Sequence, residues 1–405
     1  MVTRGAATQD DVRRHNLARL LRHLHERGAT SRSELVAFSG LNRSTVGVLV
    51  SELAEINLVF EGAGSAGQVG RPSLMVQPVA ESAIVVAFEI RVERTIVALV
   101  GLGGAVLLRK EQRHRRNSYT PEAAVRNIVS LTAQVLAKAP DRAAWVGVGV
   151  SVPGIVDHTD GRVMLAPNLG WVDAPLGDLV RDALMAEFDV CPSVVVNNDA
   201  DLGAIAEYAR GVGIGARNLI YVSGEVGIGG GIIIDGRVMM GAGGYGGEIG
   251  HMVVNPDGVT CRCGARGCWE TEIGRDAVVR EAGLGGEQVE VEDVIAAAEA
   301  GSRRAEEAIQ AVGEWLGIGL ANLVNLFNPE VIVLGGHLRL LLPRVSAQVA
   351  RRIHFALPAA REQVRVEVPA LRGDSTLLGA AETAFDALLS DPIAVFEDSP
   401  HAVAS

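Results

Sequence analysis

The chain has 405 residues, 48% of them apolar, with 48 glycines and a net charge of -11. This length predicts two or three domains with sizeable cores, and the acidic balance does not favour general polyanion binding. The start, Met1-Val2-Thr3-Arg4 followed by polar residues, does not read as a signal peptide, and no run of about 18 or more apolar residues lacks polar breaks, so the chain is expected to be cytosolic. A reducing compartment suits metal thiolates better than disulfides. The charge is uneven: residues 1–78 carry +2 and the remainder -13, so only the N-terminal piece is a candidate for DNA.

Residues 10–78 read as a winged helix-turn-helix domain. Leu17, Leu20, Leu21 and Leu24 repeat with helical period, and Gly28 ends the helix. Ser31-Arg32-Ser33-Glu34 has the spacing of a capping box for a second helix, and Ser39-Gly40-Leu41 breaks it. A third helix from about Asn42 buries Val46, Leu49, Val50 and Leu53. Its exposed early positions, Asn42, Arg43, Ser44 and Thr45, are those that enter a major groove. There Arg43 suits guanine edges, and the hydroxyls suit phosphate or base edges. A plain three-helix protein-binding module fits the same pattern. Leu58–Glu61 and Arg71–Val76 read as wing strands around a glycine-rich turn. Arg71 suits a minor groove, a phosphate or an ordinary hairpin surface.

Residues 80–388 read as two α/β lobes, about 80–200 plus 377–388, and 201–376. Ile84–Phe88 and Thr95–Val100 predict a hairpin, and Val146–Val150 and Val194–Val196 predict two more strands. Thr120-Pro121-Glu122 caps a helix. Leu219–Val222, Gly231–Ile234 and Val331–Leu334 are strands of the second lobe, with one or two helices over 301–327. A last helix falls at about Leu377–Leu389, and 391–405 reads as a loose tail. Cys191, apart from the other cysteines, reads as a buried apolar filler.

Residues 247–271 carry the densest chemistry. Gly247-Glu248-Ile249-Gly250-His251 precedes Cys261-Arg262-Cys263-Gly264 and Gly267-Cys268-Trp269-Glu270. His251, Cys261, Cys263 and Cys268 form a tetrahedral zinc set, closed and therefore structural. A redox pair and scattered buried cysteines are the alternatives. Glu248 and Glu270 are poor additions to a filled thiolate site but bond sugar hydroxyls well.

These motifs resemble the signature of the ROK family, which unites repressors, open reading frames and sugar kinases. The resemblance covers about residues 10–388. It implies a two-lobed actin-like ATPase (sugar kinase) fold, an α/β architecture, here preceded by the winged helix-turn-helix of the repressor branch. It implies sugar contacts at Gly154, Asn168, Asn198, Asp199, Glu248, His251 and Glu270. In the family's kinases the residue matching Asp199 is the catalytic base, within Asn-Asp-Ala-Asn; the last Asn of that motif is Asp201 here. His251 is expected to bind zinc through one ring nitrogen and sugar through the other.

The phosphate motifs depart from the kinase pattern. Asp-x-Gly-Gly-Thr is replaced by Glu89-Ile90-Arg91-Val92-Glu93, which puts side chains where the backbone must approach phosphate. Gly-Thr-Gly-x-Gly-x-Gly becomes Glu225-Val226-Gly227-Ile228-Gly229-Gly230-Gly231. The sequence therefore predicts a non-enzymatic, sugar-responsive transcriptional regulator, most simply a repressor, that binds operator DNA as a homodimer or tetramer. An ATP-dependent sugar kinase with an accessory DNA-binding domain is one rival. A body that senses a phosphotransferase protein is another.

Overall fold

The structure, a computed structural model, describes residues 8–63, 74–115, 119–190, 192–286 and 289–398. The chain divides into two compact units: residues 1–152, 158–197 and 380–405 in the first, and 153–157 with 198–379 in the second.

The first unit opens with the helix-turn-helix. Helix Gln9–Arg27 is fastened by a Thr8/Asp11 capping box and ends at Gly28. Helix Arg32–Ser39 has the expected Ser31/Glu34 capping box and stops at Gly40, whose φ of 72° is the left-handed region that glycine tolerates. The recognition helix runs Arg43–Glu55 and buries Val46, Leu49, Val50 and Leu53. Strands Val59–Ala63 and Leu74–Pro78 pair antiparallel, and Thr30–Ser31 adds a short third strand to Leu74–Pro78. That third strand is too short to leave a periodic signal in the sequence. The wing tip, with Arg71, lies outside the described residues.

The same unit holds a five-stranded sheet in the order Ser193–Asn198, Ala144–Val152, Ala83–Ile90, Arg94–Gly101, Ala105–Arg113. Ala83–Ile90 is central and buried along its whole length, whereas the edge strand Ala105–Arg113 carries Arg109, Lys110 and Glu111. Gly147 and Gly149 lie where any Cβ would overlap the backbone of Ala384 and Ala380, so helix Ser375–Ser390 rests directly on strand Ala144–Val152. Pro392–Asp398 is a further helix, where a loose tail was expected. Asp391, just before it, accepts from Arg14 of the first helix.

The second unit has its own five-stranded sheet: Arg237–Val238, Ile228–Ile234, Leu219–Gly224, Val331–Gly336, Arg365–Glu367. One helix, Arg303–Phe327, spans the stretch read as one or two. It packs on Leu338–Ile353, with Leu316, Leu320, Val345 and Val349 buried in one core. Gly313 and Gly317 lie against Val345 and Arg352, so small residues set the spacing of the two helices. The short loop 153–157 belongs to this unit, because the Asn198 amide donates to the Gly154 carbonyl at 2.8 Å. Cys191 falls outside the described residues.

Candidate effector, metal and DNA sites

The metal candidate is built from one loop and two short helices. A 3-10 turn, Ile249–His251, presents His251, and Cys268 precedes helix Trp269–Ile273. Trp269 is fully buried and anchors that helix by donating to the Trp315 carbonyl at 2.9 Å. The ligand atoms of His251, Cys261, Cys263 and Cys268 all lie within 4.8 Å of one another. Cys263 and Cys268 sulfurs are 3.6 Å apart, and Cys261 Sγ is 3.7 Å from His251 Nδ1. A zinc tetrahedron with bonds of about 2.3 Å has sulfur–sulfur edges of about 3.8 Å. The donor set therefore fits a metal ion. Burial pushes the Cys261 and Cys268 thiols up, and a backbone hydrogen bond from Ala265 lowers Cys263.

The carboxylates surround that cluster. Glu270 Oε1 accepts from Cys261 Sγ at 2.9 Å and lies 3.9 Å from His251 Nδ1. Glu248 Oε2 lies 3.7 Å from His251 Nε2. The two ring nitrogens thus face different ways, Nδ1 toward the sulfurs and Nε2 toward Glu248. Burial raises the Glu248 carboxyl, His251 opposes that, and Glu270 adds to it.

Helix Asp199–Arg210 brings the second group. Asn198 caps it: its Oδ1 accepts from the N–H groups of Ala200 and Asp201. Its amide is engaged with Gly154, so Asn198 orders the loop and helix around the site. Gly154 has φ of 153°, a conformation that favours glycine. Asp199 is half-buried and its Oδ1 accepts from Ala200 N–H at 2.9 Å. Asp201 is the residue that sequence reading undervalued. It is buried, and its carboxyl is pushed up to about 7 by burial first, then by Asp199 and Glu248. A protonated carboxyl offers one donor and one acceptor, as the family's asparagine amide does. Asp199, Asp201 and Glu248 thus form one acidic group within the second unit.

Asn168 belongs to the first unit, half-buried in the turn between strands Arg162–Ala166 and Trp171–Ala174. Trp171 fixes that hairpin by donating to the Tyr119 carbonyl at 2.6 Å. In the recognition helix Arg43 and Ser44 are exposed and Thr45 is half-buried. Asn42 is the N-cap: its Oδ1 accepts from Thr45 N–H at 2.8 Å and from the Ser44 hydroxyl at 2.7 Å.

The phosphate motifs have other occupations. Arg91 Nε donates to the buried Glu89 carboxylate at 2.8 Å. In the second motif, a Cβ on Gly231 would overlap the Ala200 carbonyl, and one on Gly230 would press on Gly247 and Ile249. A Cβ on Gly227 would meet Glu270 Oε2 at 2.7 Å. Gly336, at φ 55°, backs onto Gly224. The next residue, His337, is half-buried; its Nε2 donates to the Ile273 carbonyl at 3.0 Å, and burial lowers its pKa. Packing against backbone is reason enough for Gly230, Gly231 and Gly336, so their retention is no evidence of nucleotide binding.

A winged helix-turn-helix joined to a sugar-kinase-type fold with a Cys3His cluster defines a regulator-type architecture. The chain belongs to the ROK family, which it matches over residues 85–387. It is 30% identical to the xylose repressor of Bacillus spizizenii over 353 residues, covering 86% of this chain and 90% of that one. A crystal structure of a ROK family transcriptional regulator, a homolog of the E. coli Mlc protein, superposes with TM-score 0.77 at 26% identity, covering 95% of this chain and 99% of the other. A ROK family glucokinase from Streptomyces griseus, in complex with glucose and AMPPNP, gives TM-score 0.62 at 27% identity. It covers 75% of this chain and 100% of its own. The regulators thus match along nearly the whole chain, the kinase over three quarters of it. Among the described residues no helix is long and apolar enough to cross a membrane.

Proposed function

We propose that this chain is a sugar-responsive transcriptional regulator, in its simplest form a repressor of genes for carbohydrate uptake or metabolism. The observation that carries the reading is the joining, in one chain, of an exposed Arg43–Ser44 recognition face to a kinase-type fold whose first phosphate loop holds the Arg91–Glu89 pair.

Operator DNA is read by the recognition helix. Arg43 takes guanine edges, Ser44 and Thr45 take phosphate or base edges, and Arg71 adds a wing contact. Asn42 positions these residues through its cap. A sugar or sugar derivative is held by Asn168, Asp199, Glu248, His251 and Glu270, with Gly154 and Asn198 shaping the loop around it. The naming of several relatives as xylose repressors supports a pentose, and that of others as glucokinases a hexose. Zinc bound by His251, Cys261, Cys263 and Cys268 is structural, holding Glu248 and Glu270 in place. The chain works as a homodimer, or as a dimer of dimers, matched to two-fold operators. Sugar regulates DNA binding by favouring one of two states, which requires unequal affinity for them. The protein does not turn over ATP.

Mobility shifts of promoter fragments with D-xylose, D-glucose or N-acetylglucosamine test the reading. The expected result is a retarded fragment at physiological salt whose affinity changes with one of these sugars. Absence of any preferred fragment would overturn it, as would brisk sugar-dependent ADP release in a coupled assay.

A further inference from the structure

Helix Ser375–Ser390 has two sets of partners, each inside its own unit. In its first turn, the Ser375 hydroxyl donates to the buried Glu207 carboxylate at 2.8 Å. Glu207 also accepts from the N–H groups of Val212, Ala370 and Leu371. The Thr376 hydroxyl donates to the Asp199 carbonyl at 3.3 Å, and a Cβ on Gly379 would overlap the Leu202 carbonyl. The first turn is therefore fastened along helix Asp199–Arg210, the helix that carries Asp199 and Asp201.

The remainder of the helix is fastened to the first helix of the DNA-binding module. Three pairs run in antiparallel order: His25 with Glu382 at 3.1 Å, Arg22 with Asp386 at 2.7 Å, and Arg14 with Asp391, just past the helix end, at 3.0 Å. The first pair differs from the other two in burial. His25 is wholly buried and Glu382 nearly so, while Arg22 and Asp386 are exposed and count for little. The Gly103 N–H donates to His25 Nδ1 at 3.0 Å. That leaves the proton on Nε2, which donates to Glu382 Oε2, and the imidazole packs 4.8 Å from the Phe385 ring. A buried, doubly bonded imidazole holds one geometry, because losing either partner strands a polar atom.

We propose that helix Ser375–Ser390 is the coupling element between the effector-binding helix and the DNA-binding module, and that His25 and Glu382 are the positioning pair through which it acts. The inference rests on the regulatory reading above for its purpose. One continuous helix, bonded at its first turn to the carrier of the site carboxylates and beyond that to helix Gln9–Arg27, is the kind of physical element that a coupling free energy requires. A displacement of Asp199–Arg210 shifts the first turn, and the shift reaches the module through the buried hydrogen bond to His25.

The test is amide hydrogen exchange on the full chain with no sugar and no DNA added, so its outcome is independent of whether either ligand binds. Ser375→Ala removes only the hydroxyl bonded to Glu207. It is expected to raise exchange in residues 9–27 by about fivefold, the lower end of ordinary allosteric coupling. In the background Glu382→Ala that response should vanish, and in Glu382→Gln, which keeps an acceptor for Nε2, it should persist. A purely local role predicts faster exchange in 199–212 and 370–379 alone. If residues 9–27 exchange at the wild-type rate in Ser375→Ala, the proposal is overturned. It is equally overturned if Glu382→Ala leaves the response intact. Failure of the regulatory reading would show separately, in the mobility shifts.

Discussion

Asp201 shows how one substitution in a motif changes its chemistry. Where the kinases of the family have an amide, this chain has a buried carboxyl with a folded pKa of about 7, held up by burial and by Asp199 and Glu248. Its ordinary value is 3.8, so the folded state binds the proton more tightly than the unfolded chain. The stabilising contribution of a raised pKa is fully present below the unfolded value and is lost as pH rises through the folded one. Asp201→Asn should therefore raise Tm at pH 8, by a margin reflecting about 1.4 kcal/mol per tenfold shift in proton affinity. The gain should shrink toward zero near pH 4. Thermal melts of both proteins across that range check it; an equal difference at both ends would mean that Asp201 is ionised throughout. The residue's identity was visible in the sequence, but its proton was not. That depends on which carboxylates the second unit brings beside it.

At the scale of elements, local chemistry and helix ends agree closely. The Ser31/Glu34 capping box, the stop at Gly40 and the start of the recognition helix at Asn42 all follow from side chains competing for terminal N–H groups. Asn42 gives this a consequence for binding, since its Oδ1 holds both Thr45 N–H and the Ser44 hydroxyl. Asn42→Ala should cost about 1 kcal/mol of stability and loosen Ser44 and Thr45, which are proposed to contact DNA. Operator affinity should fall while the body's far-ultraviolet spectrum is unchanged. The surviving glycines of the second phosphate motif teach the opposite lesson. From spacing alone they look like a vestige of nucleotide binding. In the fold, Gly231 lies under the Ala200 carbonyl, where a methyl group has no space. Gly231→Ala should lower stability by about 1–3 kcal/mol by overpacking, as urea denaturation would show.

For the molecule as a whole, the division into two units predicts where metal removal will be felt. The Cys3His cluster lies entirely in the unit of residues 198–379. Binding to the folded state alone stabilises it by mass action. Chelation should therefore lower the melting transition by on the order of 10 °C, given typical unfolding entropies. Hydrogen exchange should rise around 247–275 and stay unchanged in the buried strand Ala83–Ile90. Uniform destabilisation of both units would show that the cluster is not a local clip.

What the sequence determined by itself is what short-range chemistry controls. Helical and strand periods, caps, turn glycines and the Cys-x-Cys ligand spacing each depend on neighbours a few residues away, and a single chain displays all of them. Only the tertiary structure decided the rest. It put loop 153–157 with Asn198, made Asn198 a cap and loop anchor, and turned Pro392–Asp398 into a packed helix where composition suggested a loose end. It also sealed His25 against Glu382, 357 residues away. These outcomes rest on burial and hydrogen bonding between distant segments, and a buried polar atom takes its partner from whatever the fold brings within about 3 Å, which no local pattern records.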